Sequence, residues 1–590
     1  MDGLIMKNAS NLFYRIVCLF TRIITLSVIA SCGGGSDSSL SNSKQITAFS
    51  FTSPAAIGTI DQSARTIAVS VPSGTDMTAL IASYTTTGQS VTIGSTTQAS
   101  SFTPNNFTSP VIYRVKAADG SYQDYTVKVT VLGAQWARIV DAENSDSIFR
   151  SVSEASDGSL YAAGEITGTG TFNFGNGVTA SGTSTGLNII LVKYNSSGVA
   201  QWAQTVTVGS SDSFFCGVSV ASDGSVYAAG FISGTGTYNF GNSVTATGTY
   251  TTGTNIVLVK YNSSGVAQWA RTVDSGNYDS SFNGVSVGSD GSVYAAGFIS
   301  GYCTFNFGNS VSATAFGYNI VLVKYSSSGV VQWARTVNAG NFESSINSVF
   351  VASDGSVYAA GYIAGTGTYD FGNNVTAAGT NTGYNIVLVK YNSSGMVQWA
   401  RTADAGNGDS LFYGVSVASD GSVYAAGYIA GTGTYDFGSN ATAKGAYSGK
   451  NIVLINYNSS GVVQWVRTAD AGNGNSLFYG VSVASDGSVY AAGNFAGTGD
   501  HNFGSTVVAS GTYTGRNIVL IKYNSSGVVQ WARTADSGNG DSGFNSVSAA
   551  SDGAVYVTGA ITGTDAYNFG NNVTAAGAYT GWKSVLVKYY

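Results

Sequence analysis

A Gln-Trp pair recurs seven times along this chain, at Trp136, Trp202, Trp269, Trp333, Trp399, Trp465 and Trp531, with a spacing of 64 to 67 residues. A Ser-Asp-Gly triplet keeps step with it, carried by Asp157, Asp223, Asp290, Asp354, Asp420, Asp486 and Asp552. Self-similarity at a fixed period means that each copy is one supersecondary unit, unable to bury its apolar face without neighbours. In the fifth copy, four strand candidates follow one another: residues 412–418 (FYGVSVA), 423–429 (VYAAGYI), 451–457 (NIVLINY) and 462–468 (VVQWVRT). Asp420-Gly421 joins the first pair and Asn458-Ser459-Ser460-Gly461 the last, both sequences that favour tight turns. Four antiparallel strands per copy describe a propeller blade. The period is too long for a β-helix coil, and no stretch carries the 3.6-residue pattern an α-solenoid requires.

The ends of the repeating region predict how the ring closes. It begins at residue 133 with a Gln-Trp strand that has no NIVLVKY partner before it, and the chain ends on VLVKYY (585–590), where every other copy runs on into Gln-Trp. The first strand therefore supplies the missing fourth strand of the last blade. This gives seven blades and leaves no open edge to recruit other chains.

Composition agrees with an all-β chain. Hydrophobic residues make up 43 % against only 9 % charged, with 78 glycines and 4 prolines, so the chain has enough apolar surface to fold. The net charge of −6 without a basic stripe argues against nucleic acid as a partner. Four cysteines (Cys18, Cys32, Cys216 and Cys303) show no CxxC or Cys/His metal spacing. In sister repeats the place of Cys216 is held by Tyr, Asn or Arg and that of Cys303 mostly by Gly. The pair reads as two free thiols, with a disulfide between neighbouring repeats as the alternative.

The repeat units GVSVASDGSVYAAG (414–427) and NIVLVKYNSSG…QWA (385–400) resemble the bacterial propeller family built from SBBP repeats. That resemblance covers about three quarters of the chain and implies seven blades. Other propeller families fit less well. Each repeated Trp is followed by Ala or Val, so the WD dipeptide is missing. The kelch period and the short Trp-docking repeats of quinoprotein dehydrogenases are missing too.

Residues 1–31 read as an export segment, with Lys7, Arg15 and Arg22 ahead of the apolar run IITLSVI (23–29). Ile29-Ala30-Ser31-Cys32 resembles the bacterial lipobox, which implies lipid attachment at Cys32 and a membrane-anchored protein of the cell envelope, at the outer membrane and exposed at the surface. Residues 32–43 form a Gly/Ser tether. Residues 44–132 contain the alternating segments ITAFSF, TIAVSV, ALIASY, SVTIG, VIYRVKA and YTVKVTV, which predict a small β-sandwich. Its VKAADGSYQDYTVKV stretch (115–129) resembles the Ig-like modules that follow the lipobox in surface lipoproteins. The domains are thus 1–31, 32–43, 44–132 and a propeller over 133–590.

If the first strand of each blade is innermost, the SDG and NSSG turns share one face. The longer QWAR-to-FYG loops and the segments such as 431–450 share the other, and a ligand is expected on that face or at its central funnel. The chemistry there is sparse. His501 stands where sister blades have Phe172, Tyr238, Phe305, Tyr369, Tyr435 and Tyr567, a packing slot rather than a catalytic centre. The acids of the loops recur: Asp274, Asn277 and Asp279; Asp404, Asn407 and Asp409; Asp536, Asn539 and Asp541. Oxygen ligands on a Gly-rich loop suit calcium, and Asx-turns are the structural alternative. Trp399 and Arg401, two apart on one strand, share a face and are expected to fasten neighbouring blades. The function expected from the residues is a monomeric, non-enzymatic binding or adhesion module with a protein or glycan ligand and no cofactor. The alternatives are a carbohydrate-active propeller enzyme and a purely structural envelope scaffold.

Overall fold

The computed structural model describes residues 40–71, 75–142, 144–209, 211–338 and 343–590. The export segment, Cys18, Cys32 and the tether through residue 39 lie outside the described residues. The chain divides into two compact units, one of residues up to 129 and one that runs from 130 to 590 and includes 71–75. Among the described residues no helix is long and apolar enough to cross a membrane.

The first unit is a β-sandwich made by one continuous ladder. Its nine strands include Ile46–Thr52, Thr66–Val71, Val111–Lys116 and Tyr122–Val131. Thr66–Val71 shows how the sequence drives it, with Ile67, Val69 and Val71 buried and the residues between them exposed. The ladder folds over so that Phe49 meets Tyr113 at 5.3 Å and Phe51 meets Phe107 at 5.2 Å, both edge to face. Besides the two-residue strands Thr96–Thr97 and Pro104–Asn105, the strand Ala55–Asp61 was not anticipated from the sequence. Its hydrophobic alternation is inverted, with Ala56 buried and the larger Ile57 86 % exposed.

The second unit is the seven-bladed propeller. Six blades are four-stranded sheets in chain order, the fifth being Ser410–Val417, Val423–Ala430, Lys450–Tyr457 and Val463–Arg467. The seventh blade pairs Ala134–Ile139 with Lys583–Tyr589, so the N-terminal strand of the unit closes the ring. First strands touch their neighbours round the axis, and the last, Ser542–Ala549, returns to the first, Ser147–Glu154. The core lies between blades. Ala359 packs toward the third blade and Ala360 toward the fifth, which is why the second strand of each blade is buried along most of its length. A two-stranded hairpin outside each blade, such as Thr434–Asp436 with Thr442–Lys444, occupies the long segment between second and third strands.

A repeated clasp holds consecutive blades. Trp399 Nε1 and Lys390 Nζ both donate to the Ser459 carbonyl in the next blade's turn, each at 3.2 Å. Arg401 lies over the Trp399 ring at 5.3 Å and donates through Nε to Gly461 O at 2.8 Å. Gly461 has a positive φ of 76°, and a Cβ there would meet the Trp399 ring at 2.9 Å, so the turn needs glycine for two reasons. The closing strand uses the same device. Arg138 donates to Gly198 O and Ser197 O, which locks the seventh blade onto the first. At the first-to-second junction the arginine is replaced by Gln204.

Candidate functional site: the axial funnel

Each first strand carries a β-bulge at the same point. Phe149 faces Gly164 and Ser151 faces Ala163, so Arg150 is the extra residue, and the bulge recurs in all seven blades. Bulges re-aim a side chain. The partner glycine is obligatory, because a Cβ on Gly164 or Gly427 would run into the carbonyl oxygen of Ile148 or Leu411. The seven bulge residues are Arg150, Cys216, Asn283, Asn347, Tyr413, Tyr479 and Asn545, and they ring the axis. Beneath them the ring narrows to Gly and Ser: a Cβ on Gly217 would meet the Gly284 backbone at 3.2 Å.

Above this ring the blades differ at three further positions, from which Ile148, Phe214, Gly543, Asn494, Ala560, Arg516 and Trp582 line the funnel. The first is held by Ile148, Phe214, Ser281, Ser345, Leu411, Leu477 and Gly543. Its cross-strand partners are Glu165, Phe231, Phe298, Tyr362, Tyr428, Asn494 and Ala560. The third lies at the start of the third strand and includes Tyr318, Tyr384, Lys450, Arg516 and Trp582. Blades two to four thereby carry aromatic pairs: Phe214 on Phe231 at 4.4 Å, Phe298 stacked on Tyr318 at 4.3 Å, and Tyr362 on Tyr384 at 4.7 Å. Tyr413 meets Tyr479 at 5.0 Å.

The seventh blade departs from this pattern. Gly543 and Ala560 stand where every sister blade carries a larger side chain, and the funnel cavity of about 420 Å³, lined by all seven bulge residues, reaches over them. Arg150, Phe214, Tyr413, Tyr479, Arg516 and Trp582 line it together with four asparagines. Asn347 and Asn545 donate their amides to Phe412 O and Phe149 O of the next blade, so the amide carbonyls remain available to a ligand. Arg150 is held through Nε and Nη2 by Glu165, at 2.5 to 3.1 Å, and lies over the Phe214 ring at 5.7 Å. Burial works against the Arg150 charge, but the buried Glu165 carboxylate outweighs it and keeps the guanidinium above its ordinary pKa. Burial pushes the Cys216 thiol up to about 12, so it stays protonated.

The repeated loop acids have positions of their own. Asp279 Oδ1 accepts the Thr254 N–H at 2.7 Å, Asp409 Oδ1 that of Tyr384 at 3.0 Å, and Asp541 Oδ1 that of Arg516 at 2.7 Å. Each thus fixes the third-strand residue of the preceding blade that faces the funnel. The first acids, Asp274, Asp404 and Asp536, donate their own N–H to the outer hairpin at Asn306, Asp436 and Asn568. Asn407 and Asn539 lie against Gly433 and Gly563 of the hairpin loops, and Asn277 holds the same loop position. The three places in each loop thus serve three different contacts. Among the described residues no group of three His, Cys, Asp or Glu side chains is placed to hold a metal.

His501 is buried between Phe495 at 4.6 Å and Phe503 at 6.5 Å, and its ring nitrogen Nε2 lies 3.3 Å from Ala496 O. Burial lowers its pKa. It fills the slot that Tyr435 occupies in the fifth blade, where the hydroxyl donates to Ala430 O. Cys216 and Cys303 are both free: the first lines the funnel and the second packs within the third blade, so the disulfide alternative does not hold.

The bulge ring and the seventh-blade notch were not anticipated from the sequence, although a signal was there. An unvarying glycine inside an otherwise apolar strand, as in VYAAGYI, marks a bulge on its partner strand.

Residues 46–129 match the SGBP N-terminal family. This is a surface glycan-binding family, and the match covers the sandwich. No curated protein matches the chain. Among solved structures, a protein assigned as a glycoside hydrolase from Bacteroides thetaiotaomicron is similar at 23 % identity over 30 % of this chain, with a TM-score of 0.14. This chain spans 55 % of that protein's length. An ulvan lyase of a polysaccharide lyase family is 10 % identical, over 74 % of this chain and 97 % of its own, with a TM-score of 0.38. A quinoprotein alcohol dehydrogenase-like protein from Bacteroides thetaiotaomicron is 10 % identical, over 64 % of this chain and 88 % of its own, at 0.26. At TM-scores this low none of the three bears on activity.

Proposed function

We propose that this is a glycan-binding protein of the bacterial cell envelope whose propeller holds its ligand in the axial funnel without reacting with it. One observation carries the reading: blades that otherwise repeat one another diverge around the funnel, whose lining combines Phe214, Tyr413, Tyr479 and Trp582 with four asparagines and two arginines. Sugars offer apolar C–H faces edged with hydroxyls, and aromatic planes beside amide and guanidinium groups suit them. The SGBP N-terminal match of the sandwich supports the same class of ligand. Glycoside cleavage by paired carboxylates requires two acids flanking the bond, and no Asp or Glu lines the notch. On this reading the chain is a monomer of SBBP-type blades behind an Ig-like spacer, anchored by lipid at Cys32 and facing outward from the outer membrane.

A glycan array on the purified protein, followed by calorimetry, tests the proposal. Binding of at least one polysaccharide, lost on Ala560→Tyr with the fold intact, is the expected result. The change restores the side chain that Tyr362 and Tyr428 carry in sister blades, so the blade accommodates it. Silence across the array, with a weakened envelope on gene deletion, points instead to the scaffold. Product release from a bound polysaccharide points to the enzyme.

A further inference from the structure

Resting on the glycan-binding reading, we infer that the seventh-blade notch selects an anionic sugar, one bearing a carboxylate or a sulfate, and holds the anionic group with Arg150 and Arg516. The argument begins from charge. This chain is acidic overall and only 9 % of its residues are charged. Yet the lining of the notch contains two arginines and neither Asp nor Glu.

The two arginines are departures from the repeat rather than parts of it. The bulge position is Cys, Asn or Tyr in every other blade, and the Arg516 position is Leu187, Thr254, Tyr318, Tyr384, Lys450 or Trp582 in the others. The propeller therefore folds without a guanidinium at either place. Both side chains are also held in advance. Glu165, 3 % exposed, grips Nε and Nη2 of Arg150 from behind and leaves Nη1 uncommitted. Arg516 rests over the Trp582 ring at 5.0 Å, and its Nη2 is 3.6 Å from Asp541, an ion pair longer than a hydrogen bond.

A pre-positioned guanidinium fork matches the paired oxygens of a carboxylate or sulfate in a way no amide does. The backing carboxylates cancel much of the long-range field, so recognition acts at contact. A neutral glycan can accept hydrogen bonds from the two guanidiniums, but only an anionic group also pairs with their charge. The funnel cavity, widened toward the seventh blade by Gly543 and Ala560, is about 420 Å³, within the range of small-ligand sites.

Calorimetry on the purified full chain tests this with polygalacturonate and its carboxyl-reduced form, and with a sulfated galactan and its desulfated form. We expect one acidic polymer to bind at least about tenfold more tightly than its neutralised partner, the difference a charge-assisted hydrogen bond gives. Whether the carboxylate or the sulfate polymer binds identifies the anionic group. Arg516→Leu, which installs the first blade's residue, is expected to remove that preference with an unchanged thermal midpoint. Gly543→Leu, the residue of the fifth and sixth blades, is expected to remove binding altogether. A Cβ at Gly543 meets nothing closer than the Asn494 side chain at 3.1 Å. Neutral polymers that bind as tightly as acidic ones, and are lost on Gly543→Leu, overturn the charge inference and leave the funnel reading standing. Failure of both acidic polymers to bind, or a preference that survives Arg516→Leu, also overturns it. Silence of the whole glycan array overturns both readings.

Discussion

The clasp between blades makes a two-way prediction, because the molecule already contains one junction without its arginine. Arg401 makes two hydrogen bonds to the next blade's turn, to Gly461 O at 2.8 Å and Ser460 O at 3.3 Å, and one to Ala400 O at 2.9 Å. Its guanidinium also lies 5.3 Å from the Trp399 ring. A charged hydrogen bond contributes about 1.5–3 kcal/mol, but water can replace the arginine at the exposed Ser460 and, once the arginine no longer covers it, at the Gly461 carbonyl. Taking about 1 kcal/mol for each cross-blade bond and 0.5–1 kcal/mol for the cation–π contact, Arg401→Ala is expected to destabilise the propeller by about 2–3 kcal/mol. Gln204→Arg runs the other way. Trp202 already lies against Gly265, and an arginine there regains the bonds to Gly265 O and Ser264 O for a gain of about 1 kcal/mol.

Urea unfolding followed by tryptophan fluorescence reads the propeller alone. All eight tryptophans lie between Trp136 and Trp582, and the sandwich has none. The reasoning is refuted if Gln204→Arg leaves the midpoint unchanged or lowers it while Arg401→Ala shifts stability by less than about 0.5 kcal/mol, the scatter of ordinary surface changes.

Three further outcomes are expected. Gly427→Ala drives a methyl into the Leu411 carbonyl and should destabilise by about 3 kcal/mol or more, read as loss of soluble protein or a collapsed urea midpoint. Asp409→Ala strands the Tyr384 N–H and the Asn381 amide and should cost about 1–2 kcal/mol. That loss should be the same in excess calcium and in chelator; a calcium-dependent midpoint in the parent that vanishes in this variant would show a metal at the loop. Burial, then the nearby Asp552 charge, pushes Glu154 up to about 7. The folded state thus binds this proton more tightly than the unfolded chain does. Stability from Glu154 is full below about pH 4.5 and is lost as pH rises toward 7, by about 1 kcal/mol after allowance for solvent screening. Glu154→Gln should flatten that part of a midpoint-against-pH curve, and an unchanged slope would refute it.

The sequence by itself determined the blade, the number of blades and the way the ring shuts, because those are local and periodic. A four-strand unit with SDG and NSSG turns cannot hide its apolar faces alone, and seven copies in register leave no other arrangement. The role of the Trp-Arg pair was also legible, since two residues on one strand face share one neighbour. The loop acids were only half legible. Spacing shows that Asp404, Asn407 and Asp409 recur, but not that Asp409 reaches back to the preceding blade's Tyr384.

Which side chains line the funnel was decided by tertiary structure alone. Arg150 and Asn545 lie 395 positions apart in the chain, yet Asn545 donates to Phe149 O once the ring has closed. Which residue of each first strand turns toward the axis depends on the bulge, and one inserted residue reverses the in-and-out alternation that a sequence pattern relies on. The notch depends on an absence: Gly543 and Ala560 matter only because larger side chains fill the same places in every other blade. An absence of side-chain volume acquires meaning only where neighbouring blades surround it.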